Sequence, residues 1–277
     1  MIITHDLLSF EPAHLNRTFS CVVGILALGC ASLAASTKSN DHGSKKAPIA
    51  SAFPSMAQYR TNGLFPSEIS SLNASENTSK RPPVAGEPEV VLGWMYATGT
   101  RIAQSDNLAA EWFAKSAAQG FPPGEFALGL MLLSGRGIPK NEADAIGWLE
   151  KSSAQGLPLA EFLLGLMAAD GVGMKQNEEE AVRRFRIAAG LGLAQAQGEL
   201  GWMLTSGRGV PRDDAEALKW YARAADLGDP HAQLQLGIMH IKGEGAVPKA
   251  ALAFEWFKKS AQQGNAQAML CVAECYI

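Results

Sequence analysis

Residues 193–228 read LAQAQGELGWMLTSGRGVPRDDAEALKWYARAADLG, and this one block holds two helices and two stops. Ala194 to Ser206 is rich in Ala, Gln, Leu and Met and has no Pro, so a first helix is predicted there. Gly207 supplies the left-handed residue that ends it. The connection Arg208-Gly209-Val210-Pro211-Arg212 cannot continue a helix. Asp213 then stands at an N-cap, with Glu216 three residues on at capping-box spacing, and the second helix runs to Asp226 before Gly228 closes it.

The block recurs with a period of 36 residues. A closing glycine stands at Gly120, Gly156, Gly192, Gly228 and Gly264. A Leu-Gly pair stands at Leu92-Gly93, Leu128-Gly129, Leu164-Gly165, Leu200-Gly201 and Leu236-Gly237, and a loop glycine at Gly99, Gly135, Gly171, Gly207 and Gly243. The cap slot holds Ser105, Asn141 and Asn177 in the earlier units, while Lys249 breaks the pattern and Pro248 is expected to start the helix there instead. A fixed period of this length marks a solenoid. A glycine inside a helix costs about 1 kcal/mol against alanine, so five at one spacing need a packing reason. The expected reason is that the partner helix approaches closely there. The pairs Trp112-Phe113, Trp148-Leu149, Trp220-Tyr221 and Trp256-Phe257 are expected to fill the gap, with Arg184-Phe185 departing in the third unit. No unit can bury its apolar face alone, so stacked neighbours must share one core.

The pattern Leu-Gly-x-Met-x-x-x-Gly-x-Gly, an acidic or amide cap, then Ala-x-x-Trp-(Tyr/Phe)-x-Lys-(Ala/Ser)-Ala-x-x-Gly resembles the SEL-one-like repeat, a relative of the tetratricopeptide repeat. The resemblance covers Ala85 to Gly264, with a partial sixth unit after it. Arg101 stands in place of the second loop glycine of the first unit, and Arg184 in place of Trp in the third. The resemblance implies an all-α fold, an α/α solenoid wound as a right-handed superhelix of five two-helix repeats plus the partial sixth. It also implies an adaptor that holds protein partners, with bacterial members exported and acting in envelope assembly, polysaccharide export or receptor signalling. Cysteine-rich members described as penicillin-binding or β-lactamase-like supply the alternative, a hydrolase acting on cell-wall material.

Ahead of the repeats, residues 1–35 read as an export signal. Arg17 precedes an apolar run from Phe19 to Leu28, and small residues at Ser32 and Ala34 permit cleavage before Ala35. Asp6 and Glu11 lie in an unusually long leading stretch, and Leu28-Gly29-Cys30 resembles a lipobox with its leucine one place too close. A removed signal is favoured, with a lipid anchor and a signal-anchor as the other readings, so the expected location is the periplasm or cell envelope. Membrane contact is expected only through this segment, if it is uncleaved or lipidated. Residues 36–84, rich in Ser, Asn, Lys, Thr and Pro, read as a linker too polar to bury a core, and residues 85–277 form the solenoid. Hydrophobic residues make up 47% of the 277, enough for a sizeable core. A net charge of −3 argues against a nucleic-acid partner.

No constellation of catalytic residues emerges, and no cofactor or metal ligand is expected. His231 and His240 are nine apart, not at the i, i+4 spacing of a metal pair, and read as two partly solvated histidines. Glu178-Glu179-Glu180 reads as a solvated helix start. The Gly-x-Gly loops follow helices, not strands, so helix termination explains them better than phosphate binding. Ser116, Ser152 and Ser260 share one repeat position and read as structural. Cys275 aligns with Met95, Met131, Met167, Met203 and Met239 and reads as a buried small hydrophobe, Cys271 lying one turn before it. The chain stops within the first helix of the sixth unit, so an open end carrying Leu270, Val272 and Ile277 is expected there.

The residue after each Leu-Gly pair is expected to face the groove: Trp94, Leu130, Leu166, Trp202 and Ile238. One turn earlier lie Val90, Phe126, Phe162, Gly198 and Leu234. From this strip Trp94, Phe126, Leu130, Phe162, Leu166, Trp202, Leu234 and Ile238 are the candidate contacts for a protein or peptide partner, with Trp94 and Trp202 as anchors. The competing expectation is that these side chains pack between neighbouring repeats.

Overall fold

The computed structural model describes residues 84–275, so the expected signal segment and all but Val84 of the linker lie outside the described residues. Eleven α-helices and no strand occur among them. They pair as α1 Glu87–Thr98 with α2 Asp106–Ala118, α3 Pro122–Ser134 with α4 Glu142–Ala154, and α5 Pro158–Asp170 with α6 Glu178–Gly190. Then come α7 Ala194–Ser206 with α8 Asp214–Asp226, α9 Pro230–Lys242 with α10 Ala250–Gln262, and α11 Ala266–Glu274 as the start of a sixth unit. Each helix packs on the one before it and the one after it, which is a solenoid of five repeats.

The turns show why the period holds. Each first helix ends on a left-handed glycine, with φ between 69° and 74° at Gly99, Gly135, Gly171, Gly207 and Gly243. The chain then doubles back so tightly that the amide of the next N-cap donates to a carbonyl in the last turn of the first helix: Ser105 to Tyr96 at 3.0 Å, Asn177 to Ala168 at 2.8 Å, Asp213 to Leu204 at 3.1 Å. The side chains of Ser105, Asn141, Asn177 and Asp213 cap their helices as expected. Lys249 keeps the N-cap place in the fifth unit without a side-chain cap, and α10 starts at Ala250, so Pro248 precedes the cap instead of starting the helix.

Within a repeat the mid-helix glycines face the second helix directly. A Cβ on Gly93 would fall 2.5 Å from the Phe113 ring, and one on Gly165 or Gly237 would press equally on Phe185 or Phe257. Leu149 and Tyr221 fill the same place opposite Gly129 and Gly201. It is therefore the second residue of each aromatic pair that is buried. Trp112, Trp148, Trp220 and Trp256 are only partly covered and lie under the cations of Lys115, Lys151, Arg223 and Lys259, three residues on and 3.8 to 4.6 Å away.

Contacts to partners thirty residues apart run both within repeats and between them. Within a repeat, the buried hydroxyls of Ser116 and Ser152 donate to Gly86 O at 2.6 Å and Pro122 O at 2.8 Å, tying the second helix to the start of the first, a structural role. Between repeats, Arg136 reaches back to Asp106, and Arg208 to Glu178. The second loop glycine serves this same junction: a Cβ on Gly137, Gly209 or Gly245 would collide with the backbone of Asp106, Glu178 or Asp214, at the start of the preceding repeat's second helix. Helix termination thus explains the first glycine of each Gly-x-Gly, and the neighbouring repeat explains the second. Arg101 keeps the left-handed conformation, with φ of 67°. The buried side chains form one cluster running from Val90 to Met239, with a smaller one around Leu234, Phe257 and Ala268.

Gly192 and Gly209 separate the two demands on a glycine. Both have positive φ, +89° and +63°, but a Cβ on Gly192 meets open space. Gly192→Ala should cost about 1–2 kcal/mol for the left-handed backbone alone. Gly209→Ala should cost clearly more, about 3 kcal/mol or above, because a repeat junction must also open. Urea midpoints of the two variants check this, and equal losses would contradict the assigned role of the junction.

Candidate functional site

The structure divides the expected strip. Phe126, Leu130, Phe162, Leu166 and Leu234 are buried, Phe162 against the Phe185 ring of its own repeat at 5.7 Å. Trp94, Trp202 and Ile238 are partly exposed. Trp94 leans edge-on against Phe113 at 5.1 Å, and the Arg208 guanidinium lies over the Trp202 ring at 5.0 Å. Hydroxyls three or four residues further along bond back to these residues' own backbone: Thr98 donates to Trp94 O, Ser134 to Leu130 O, and both Thr205 and Ser206 to Trp202 O.

The surface opens in the fourth repeat. Where the other first helices carry the buried Val90, Phe126, Phe162 and Leu234, this one carries Gly198, and a Cβ there would meet open space. The missing side chain leaves a notch one helical turn from Trp202. Ile238, and Ala169, Thr205 and Ile241 one turn further along their first helices, are also partly exposed. Sequence reading found Gly198 in the strip but not its consequence, which is visible only once the equivalent side chains are seen to be buried.

A polar ladder runs behind this face at Glu89, Glu125, Glu161, Gln197 and Gln233, again 36 residues apart. The amides of Gln197 and Gln233 donate to Ala189 O and Ala225 O, eight residues back, at 3.1 Å each. Gln233 also accepts from Gln263 at 2.9 Å, and Glu125 from Gln155 at 2.8 Å. In the third and fourth repeats that donor slot holds Leu191 and Leu227, which are 51% and 52% exposed. The buried Oε1 of Gln197 accordingly has no hydrogen-bond partner. Glu161 is served differently: Ser153 donates to it at 2.5 Å and Arg184, standing where other units have Trp, pairs with it at 3.2 Å. Burial pushes the Glu125 carboxyl up, against the opposing pull of Lys151 and Gln155. A hydrogen bond from Arg183 leads the contacts, with Arg184 behind it, that hold Glu180 down at about 2.

Several sequence expectations change here. Glu178 and Glu180 are engaged by arginines rather than merely solvated. His240 is 7% exposed, not half-solvated; its Nδ1 is buried without a partner, and burial followed by the Lys249 charge lowers its pKa. His231 is exposed. Cys275 is exposed instead of buried, because no described element covers the far face of α11, where Met269 and Leu270 also stand exposed. Among the described residues no group of three or more His, Cys, Asp or Glu could hold a metal ion, and no helix is long and apolar enough to cross a membrane.

A family model described as the Sel1 repeat matches residues 90–121, 122–157, 158–193, 194–229 and 230–265. Among solved structures, an SLR-fold protective antigen present in uropathogenic Escherichia coli strains is 35% identical, with a TM-score of 0.66, over 69% of this chain and 41% of that one. A Sel1 repeat protein from Oxalobacter formigenes is 29% identical, with a TM-score of 0.65, over 69% of this chain and 55% of that one. The chain thus spans about half the length of these relatives or less. No curated protein matches it.

Two substitutions test the ladder. Leu227→Gln returns the donor that Gln197 lacks, and should raise stability by about 1 kcal/mol, read from the urea midpoint. Glu125→Gln removes a buried charge and adds a donor toward Ala117 O, the carbonyl eight residues back. An acid whose folded pKa is raised stabilises the fold below its unfolded value and costs stability as pH rises through the folded one. The variant should therefore exceed the parent by about 1 kcal/mol at neutral pH, with the charge-dependent part of the gain fading as pH falls through the raised folded value of Glu125 and gone below the ordinary glutamate range. A difference independent of pH would refute the buried-charge account.

Proposed function

We propose, from the premise that this chain belongs to the Sel1 repeat family, that it is a protein-binding scaffold whose partner docks on the first-helix face at Gly198 and Trp202. Proteins of this family typically serve as protein-interaction scaffolds. The observation that carries the location is the open notch at Gly198, in a row whose other members are filled and buried. A notch beside a partly exposed tryptophan suits one bulky apolar side chain of a partner, with the ring as its wall. Trp94 and Ile238 extend the same face, while Phe126, Leu130, Phe162, Leu166 and Leu234 support it from within.

The location we propose is the bacterial envelope, reached through the export signal read in residues 1–35, with residues 36–84 as a linker. The Escherichia coli relative's description as a protective antigen supports that reading. Within the envelope, regulation of a signalling receptor and support of polysaccharide export both suit a scaffold of this kind. The chain acts by holding a partner, without chemistry of its own.

Gly198 also gives a test that does not unfold the protein. It lies in a helix with ordinary φ, so a larger side chain there meets no strain, and phenylalanine gains helix propensity of about 0.5 kcal/mol over glycine. With the full-length chain as bait in envelope fractions, Gly198→Phe should block capture of the partner while leaving the thermal midpoint unchanged or higher. Trp202→Ala should weaken capture by about 2 kcal/mol or more, with its helical circular dichroism intact. Undiminished capture by both folded variants would remove the proposed site.

A further inference from the structure

We propose that Cys271 and Cys275 form a bidentate thiol site for a soft monovalent metal ion, copper(I) being the type. The site is independent of the groove. The Cys275 amide donates to Cys271 O at 3.2 Å, so the two residues stand one helical turn apart at the end of α11. Both thiols are free, Cys275 exposed and Cys271 partly covered by the cluster of Leu234, Phe257 and Ala268.

The spacing excludes one use of the pair and suits another. A disulfide needs Cβ atoms about 3.5–4.5 Å apart, whereas neighbours one turn apart on a helix hold theirs at about 5–6 Å. A metal with metal–sulfur bonds near 2.3 Å bridges sulfurs up to about 4.6 Å apart, which side chains starting from that separation reach by leaning together. Thiolate pairs select soft ions such as copper(I). On binding, the two S–H bonds break, both protons pass to solvent, and two copper–sulfur bonds form with no change of oxidation state.

The same positions show why this unit differs. Cys271 and Cys275 stand where the third repeat has Leu163 and Met167, both buried. Here they are accessible, so an ion can reach them without opening the core.

The test titrates the full chain anaerobically with copper(I) supplied as its coloured bicinchoninate complex. Cys21→Ser/Cys30→Ser should be applied first, so that only the two helical thiols remain. That protein should withdraw one copper per chain, and adding Cys271→Ser or Cys275→Ser should abolish the withdrawal with unchanged helical circular dichroism. No withdrawal by the parent, or withdrawal that survives either added serine, would overturn the site. One copper per two chains would overturn it as well, since the ion would then bridge molecules instead of one helical turn.

Discussion

Everything in this fold depends on a helix giving up a side chain where another helix must come close. Gly93, Gly129, Gly165, Gly201 and Gly237 each receive a bulky side chain of the paired helix against bare backbone. That approach draws the two helices near enough for an N-cap amide to reach the carbonyls of the previous helix, and so sets the length of the turn. A fixed turn sets a fixed period. The hairpin that results is apolar on faces it cannot cover, so it must stack. The junction between stacked units is again closed on glycine, at Gly137, Gly209 and Gly245. Propensity lost inside the helices is returned as packing, at one place within each repeat and one between repeats.

The fold was legible because these demands repeat at 36 residues and fall on residue types with few other uses. Helix limits, left-handed stops and four of the five caps could be read from that period alone. What could not be read follows a different spacing. Junction contacts join residues thirty apart, which a comparison of equivalent positions never sets side by side, so the second loop glycine was assigned to helix termination. Adjacent residues on a helix point about 100° apart. Pattern alone did not say which member of Trp112-Phe113 or Trp220-Tyr221 turns inward. The buried one is the ring opposite glycine, while the tryptophan lies at the edge beneath its own cation. His240 was misjudged for the same reason: nothing in its spacing reveals which neighbours enclose it.

The candidate site was half legible. The candidate strip lies along the first helices, and five of its eight members are buried, as the competing expectation had it, while Trp94, Trp202 and Ile238 stay partly exposed. Burial depends on which side chains of other helices cover each position, and these do not appear in the spacing of a single helix. The informative residue was Gly198, a position without a side chain.

The departures from the repeat pattern differ in what they touch. Arg101 in the first unit and Lys249 in the fifth fall in turns, whereas Gly198 and Leu227 belong to the fourth unit and Arg184 and Leu191 to the third. Two of these weaken the scaffold in identifiable ways. Gly198 is a helical glycine with no partner side chain against it, unlike the five that permit close approach. Leu227 sits half in solvent and leaves the Oε1 of Gln197 buried without a donor. In a solenoid, stability is a sum of unit and nearest-neighbour terms, so such losses stay local and are offset by the flanking repeats. Phe162 and Leu234 on either side remain buried. A globular core would spread the same defects through every contact. This architecture can confine them to one unit and keep the rest rigid, which is what a notch needs if it is to hold its shape while empty.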